Sequence, residues 1–258
     1  MLLNEIVQTR QYPITDPVFH KHCKKGLDEE GVLVLPEFLS LEAIQKIVAE
    51  GRAKQSLAYF SKDDHNVYLK ATDPDFPEEH PRNKRVQSSK GCITDDQIDQ
   101  QSPLRILYDA EDFRVFLASV LGEERLYNYA DPLSSINLHY ASEGQELGWH
   151  FDESSFAITL LLQSPEQGGT FEYIENMRDA DSGEMNYDGV AEVLAGNRES
   201  KTLQAGAGTL VMFRGRNAMH RVTPVVGDIT RMLVVLAYNS TPGVALSESA
   251  RMTFYGRL

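Results

Sequence analysis

His150-Phe151-Asp152 places an imidazole and a carboxylate two residues apart. Along an extended chain such residues share a face, so both can reach one point. They are two of the three ligands of the 2-His-1-carboxylate facial triad, which binds Fe(II) and leaves positions open for further ligands. The third ligand should be a distant histidine on a later strand, and His220 is the only histidine after His150. Eleven residues beyond His220, Arg231 precedes the apolar run MLVVLAYN. A guanidinium is a planar, two-pronged partner for a carboxylate. Beside such an apolar run it should be buried, and a buried arginine needs an anion. The chemistry these residues can do together is metal catalysis with a dicarboxylate, chelated to iron at one end and anchored by Arg231 at the other.

A lone H-x-D is weak evidence in a chain with seven histidines and 38 acidic residues. His20, His22, His65 and His80 lie in helical or polar segments and read as structural or solvated. His139 neighbours a residue used below but faces the other way, so it receives no role. Trp149, the sole tryptophan, reads as core.

The elements that would position these residues divide the chain in two. Residues 1–134 are helix-rich. Asp16-Pro17 is a cap and first-turn proline for a helix to about Glu30, stopped by Gly31. VLVLP, from Val32 to Pro36, is a short strand. Ser40 caps a helix whose stripe is Leu41, Ile44, Ile47 and Val48. Residues 61–100 read as a long polar connection, a candidate lid, and Glu111–Leu121 as a further helix. From Ser135 short β-prone runs follow closely (SINLHY, FAITLLLQ, GTFEY, GTLVMF, HRVTPV, MLVVLAYN), the pattern of a sandwich or jelly roll. Residues 174–202 read as a polar insertion over one mouth of the barrel. The whole of 1–258 is expected to be one domain.

Composition narrows the partners. Acidic residues outnumber basic ones 38 to 25, a net charge of −13. That surface repels nucleic acid and anionic membranes and tolerates a small cationic substrate. No apolar run approaches the roughly 20 residues of a membrane span. The N-terminal MLLNEIVQTRQYP lacks the apolar segment of a signal peptide. Cys23 and Cys92 form neither a disulfide framework nor a metal pair, which fits a reducing cytoplasm.

The blocks INLHYASEGQELGWHFD, LLLQSPEQGGTFEY, GAGTLVMF and HRVTPVVGDITRMLVVL, in that order over Ser135–Asn239, resemble the iron- and 2-oxoglutarate-dependent dioxygenases, particularly the prolyl-hydroxylase-like branch. GVLVLPEFLSLEAIQKI is similar to the superfamily's opening strand and helix. The resemblance implies a mainly β fold with flanking helices around a double-stranded β-helix (jelly-roll, cupin-like) core. It carries the metal role onto His150, Asp152 and His220, the 2-oxoglutarate role onto Arg231, and a cosubstrate contact onto Tyr140. Gly168-Gly169 matches the family's tight turn. The implied cofactors are Fe(II), 2-oxoglutarate and O₂.

Compact length and the HPRNKR segment are similar to enzymes acting on free amino acids, a group that includes radical halogenases and their hydroxylase relatives. Halogenases carry a small residue where the carboxylate ligand would be; here that position is Asp152, so hydroxylation is expected. Arg82 and Arg85 are candidates for a substrate carboxylate, and Glu153, Asp131 and Asn239 for its other polar groups. Charge matching favours a basic, lysine-like free amino acid. The competing readings are a peptidyl or protein hydroxylase, and a jelly-roll module that binds metal or ligand without turnover.

Overall fold

In the computed structural model, which describes all 258 residues, the N-terminal helices begin and end where local chemistry marks them. A short α1 (Leu3–Ile6) precedes α2 (Pro17–Glu30). The Asp16 carboxylate accepts from the Val18 amide at 2.8 Å, and Gly31 ends the helix in the left-handed region. β1 (Val32–Leu35) leads into α3 (Leu41–Lys54), whose Ala43 amide donates to Ser40 Oγ. The fully buried residues of α3 are Ala43, Ile47 and Gly51; Leu41, expected in the buried stripe, is 68% exposed in the first turn. α4 (Pro103–Asp109) and α5 (Glu111–Leu121) follow, α5 with the expected bounds.

Residues 61–100 depart from expectation. They hold most of the two longest strands, β2 (Tyr59–Asn66) and β3 (Arg85–Ile93), paired antiparallel from Tyr59–Cys92 to Asn66–Arg85. β2 pairs on one side only and is largely exposed, so it carries no apolar alternation for a sequence reading to find. The true connection is 67–84. Asn66 and Asn83 brace it by bonding the backbone of Lys70 and Tyr68, and of Asp73 and Phe76.

The β-rich part contains β4 (Ile136–Ala141), β5 (Leu147–His150), β6 (Ala157–Gln163), β7 (Gln167–Gly168), β8 (Phe171–Ile174), β9 (Lys201–Leu203), β10 (Leu210–Phe213), β11 (Met219–Val222), β12 (Val225–Val226) and β13 (Arg231–Leu236). The pairing order is β1-β10-β6-β13-β4-β3-β5-β11-β8-β9, with β7 and β12 a separate pair. β3 bonds both β4 and β5, so the antiparallel sheet curls there into two layers, consistent with the expected jelly-roll core.

Side-chain alternation gives each layer two faces. Leu138, Tyr140, Leu160, Met232 and Val234 join the helices in a core cluster of 35 buried residues. Their neighbours Thr159, Leu161, Leu233 and Val235 line a cavity of about 590 Å³. The other layer turns Trp149, Phe151 and Met219 outward onto Val190 and Val193 of α6 (Tyr187–Leu194). Burying each such valine contributes roughly 1.5–3 kcal/mol. The 174–202 insertion therefore clads the outer face of this layer instead of lying over the barrel mouth, because its helix carries an apolar side that must be covered. Tyr187 also meets Tyr68, Phe76 and His80 of the 67–84 connection. A last helix, α7 (Glu248–Tyr255), is tied to β4 by a bond from the Tyr255 hydroxyl to Asn137 Oδ1, 2.8 Å. No helix is long and apolar enough to cross a membrane.

Candidate active site

His150 ends β5 and His220 lies on β11, and the two are direct antiparallel partners. Their side chains point inward because Trp149 and Met219, one residue before each, point outward. Asp152 follows after a residue that leaves the strand, and its amide is tied to the Gly215 carbonyl at 3.1 Å. Asp152 Oδ1 stands 3.5 Å from His220 Nε2 and 3.8 Å from His150 Nε2. One ligand atom from each of the three residues lies within 4.8 Å of the others.

The imidazole tautomers follow from hydrogen bonding. His150 Nδ1 lies 2.8 Å from the Gly148 carbonyl and His220 Nδ1 2.9 Å from the Ala218 carbonyl. A carbonyl only accepts, so both Nδ1 atoms carry the proton and both Nε2 lone pairs face Asp152. Burial and the neighbouring His220 hold the His150 pKa below the ordinary imidazole range. Burial raises the Asp152 pKa, but the positive charge of His220, His150 and Lys90 in their protonated forms outweighs it and holds the carboxyl below its ordinary range. Asp152 Oδ2 is buried without a hydrogen-bond partner. A buried carboxylate oxygen left bare beside two imidazole lone pairs is a donor set for a cation. The residues fit a divalent metal.

Two glycines make room. A Cβ on Gly215 would stand 1.9 Å from Asp152 Oδ2, and one on Gly169 2.9 Å from Arg231 Cδ. Gly168 and Gly169 both have positive φ, 65° and 59°, the expected turn. Arg231 lines the same cavity as the triad. Its Nε has no partner, and burial alone lowers its pKa to about 10. A cation without a protein counter-ion, facing the space beside a metal site, fits an anionic ligand.

Tyr140 and the expected substrate residues make other contacts. Tyr140 turns to the opposite face, where its hydroxyl donates to the Gly51 carbonyl of α3 at 2.7 Å. The inward residue is His139, the one set aside, because the strand register is shifted by one from the assumed phase. Arg82, Arg85, Glu153, Asp131 and Asn239 do not line the cavity. Arg82 bonds the Ala71 carbonyl and lies over Tyr68. Arg85 donates to the Asp64 carbonyl, and Glu153 pairs with Lys70. Asp131 caps the Leu133 and Ser134 amides and holds the Leu246 amide. Asn239 pairs its backbone with Tyr127.

The sequence reading also missed groups near the metal position. The His65 ring is 6.2 Å from that of His150, with Nε2 2.6 Å from Ser88 Oγ. Arg178, from the insertion, lies 4.3 Å over the Phe151 ring and donates to the Asp152 carbonyl at 3.2 Å. Lys90 and His139 face each other in the cavity, Nζ to Nδ1 3.4 Å. No local motif marked them. The recognisable signal for Lys90 would have been a strand at 85–93.

A family model described as halogenase D matches residues 15–253. No curated protein matches the sequence at a significant level. Among solved structures, the chain is similar to SnoK, a non-heme alpha ketoglutarate dependent carbocyclase from nogalamycin biosynthesis, at 13% identity and a TM-score of 0.59 over 92% of each chain. It is similar to a 2OG-Fe(II) oxygenase family oxidoreductase from Burkholderia pseudomallei at 14% identity and a TM-score of 0.54, covering 87% of this chain and 92% of that one. A Pseudomonas putida prolyl-4-hydroxylase is similar at 15% identity and a TM-score of 0.52, over 84% and 96%. At these identities the likeness is one of fold. The family match, by contrast, leaves out only the first 14 residues and the last five. The chain therefore belongs to the halogenase D family, built on the fold of the 2-oxoglutarate- and Fe(II)-dependent oxygenases.

Proposed function

We propose that this protein is an Fe(II)- and 2-oxoglutarate-dependent hydroxylase of a small substrate, a free amino acid with a basic side chain. The observation that carries the reading is the Asp152 carboxylate, turned toward two imidazole Nε2 atoms. A halogenating site of the kind the resemblance describes has a small residue there and an open position for halide. Here the carboxylate fills it, which supports hydroxylation.

His150, Asp152 and His220 would hold the iron, and Arg231 would take the distal carboxylate of the cosubstrate. Bound together, Fe(II) and 2-oxoglutarate supply, with O₂, the oxidation of an unactivated C–H bond. The remaining work belongs to the chain. The Gly148 and Ala218 carbonyls fix both imidazoles in one tautomer and orientation. Phe171 and Phe213 pack at 5.4 and 4.9 Å from the His220 ring and exclude water on that flank. The cavity wall places one C–H bond of the substrate.

A cavity of about 590 Å³ between the two layers of the curled sheet suits a small molecule, which favours a free substrate over a protein. The acids that can meet a substrate ammonium are Glu146 and Glu166, which line the cavity, in place of Glu153 and Asp131. Two buried free thiols accord with a reducing, cytoplasmic setting.

The test is mass spectrometry of a free amino acid panel incubated with protein, Fe(II), 2-oxoglutarate and air. A gain of one oxygen on a basic amino acid supports the reading; a chloride-dependent gain of chlorine overturns the role given to Asp152. Fe(II) and 2-oxoglutarate added without oxygen should give a weak visible charge-transfer band. Its absence from folded protein would mean a binding module without turnover.

A further inference from the structure

The strand register sets three basic side chains on one inner wall. β4 pairs with β13 so that Ala141 faces Arg231 and His139 faces Leu233. β4 pairs with β3 so that His139 faces Cys92 and Tyr140 faces Gly91. Alternation then brings Lys90, His139 and Arg231 to the cavity side, and all three line it. Lys90 makes no ion pair; its polar contact is another base, His139 Nδ1, at 3.4 Å. Burial lowers the pKa of both groups from their ordinary ranges. Two bases that meet in a cavity, with no acid between them, leave a cation uncompensated.

Charge counting says what would compensate it. The two charges of Fe(II), the Asp152 carboxylate, the two carboxylates of 2-oxoglutarate and the Arg231 guanidinium cancel. Within that set one cosubstrate carboxylate would bind the metal and the other Arg231, so neither would have Lys90 as its main partner. The Lys90 ammonium is left without an acid in contact with it, a setting that suits a second anionic molecule. Glu146 and Glu166 also line the cavity, yet neither forms a contact with Lys90 Nζ, whose hydrogen-bond partner is His139.

We infer that Lys90 and His139 form a second anion subsite, which takes the carboxylate of the primary substrate while Arg231 takes that of the cosubstrate. The subsite rests on the proposed cosubstrate reading and deepens it. It replaces the role first given to Arg82 and Arg85 and adds a requirement: the substrate carries a free carboxylate, and blocking it as an amide removes recognition. A lysine ammonium beside a neutral imidazole donates to one carboxylate oxygen each if His139 presents an N–H to the cavity.

The experiment uses the full chain loaded with Mn(II) and saturating 2-oxoglutarate, without iron or turnover. Sodium butyrate and butyramide are titrated as probes, and the paramagnetic broadening of their proton NMR signals is recorded. Butyrate should saturate and bind about tenfold or more tightly than butyramide. Lys90→Met should erase that difference while leaving 2-oxoglutarate affinity within about threefold, and Lys90→Arg should retain it. Lys90→Gln serves if the methionine variant does not melt like the parent. Equal binding of the two probes by the parent protein overturns the subsite. So does a loss of 2-oxoglutarate affinity of about tenfold or more in the Lys90 variants, which would assign Lys90 to the cosubstrate. If no amino acid is hydroxylated but butyrate alone behaves as expected, the amino-acid reading fails and the anion subsite stands.

Discussion

His150 and His220 are direct cross-strand partners, with ring centroids 4.1 Å apart. Seventy residues separate them in the chain, yet one antiparallel register places both on the inner face. A slip of one residue would turn either ring outward. The site is thus a property of strand pairing, and Asp152 completes it from the loop that β5 runs into. Asp152→Gly should lower hydroxylation at least about a hundredfold, beyond the loss that removal of outer partners causes. Product analysis with and without chloride checks it. Retained hydroxylation in the glycine variant would remove the carboxylate from the metal.

Gly215 offers a gentler perturbation of the same group. Its missing Cβ leaves the space that Asp152 Oδ2 occupies, 1.9 Å from where that carbon would stand. Gly215→Ala should shift the carboxylate and weaken Mn(II) or Fe(II) binding about tenfold. Metal titration is the measurement. Unchanged affinity would mean that Asp152 is not held by this close approach.

Arg231→Ala should weaken 2-oxoglutarate binding by about 1.5–3 kcal/mol, the range for hydrogen bonds to a charged group, or roughly 10- to 150-fold. Arg231→Lys should recover only part, since an ammonium lacks the two-pronged geometry. Because the guanidinium pKa is lowered only to about 10, it stays charged at neutral pH, so this affinity should not change between about pH 6 and 8 through Arg231. Titration of the anaerobic charge-transfer band reads both effects.

What was legible in the sequence was whatever depends on local chemistry or on two-residue periodicity. Asp16, Ser40 and Gly31 mark helix ends through their own side-chain or backbone preferences, and His150-x-Asp152 keeps its spacing in any extended chain. Arg231 was readable because an arginine beside MLVVLAYN has nowhere wet to go. The failures share one cause. β2 is a polar outer strand whose only strand partner is β3, so its pairing leaves no hydrophobic trace, and Lys90 is hidden with it. Alternation gives β4 two phases, and the resemblance that puts a cosubstrate contact on Tyr140 does not say which of them this strand adopts; the pairing with β13 and β3 turns His139 inward. The 174–202 insertion looked polar on average, yet Val190 and Val193 are spaced to bury one side of a single helix.

Acid should destabilise the metal-free protein. His150 and His139 both have folded-state pKa values below the ordinary imidazole value, in each case chiefly through burial. As pH falls below about 6.5 the unfolded chain takes up protons that the folded chain refuses. Stability therefore declines with falling pH, by up to about 1.4 kcal/mol per pH unit for each such histidine. Asp152, lowered by its histidines, adds loss in the same direction below the carboxylate range. Thermal melts from pH 7.5 to 5 should show a falling Tm, with a smaller slope in His139→Gln. An equal slope in that variant would mean His139 is free to protonate in the fold.

Tyr140→Phe separates the two faces of β4. The hydroxyl donates to the Gly51 carbonyl beneath α3, and the ring belongs to the helix-side core. Removing it leaves one buried carbonyl lone pair unsatisfied, costing about 1 kcal/mol, or a Tm lower by roughly 2–4 °C in a chain of this size. Since the hydroxyl lies on the side away from the cavity, 2-oxoglutarate affinity should be that of the parent protein. The same assay on His139→Gln addresses the inward face, where substrate affinity should fall while cosubstrate affinity holds. A Tyr140→Phe variant with native Tm and weakened 2-oxoglutarate binding would reverse the assignment of the two faces, and with it the placement of His139 and Lys90 in the cavity.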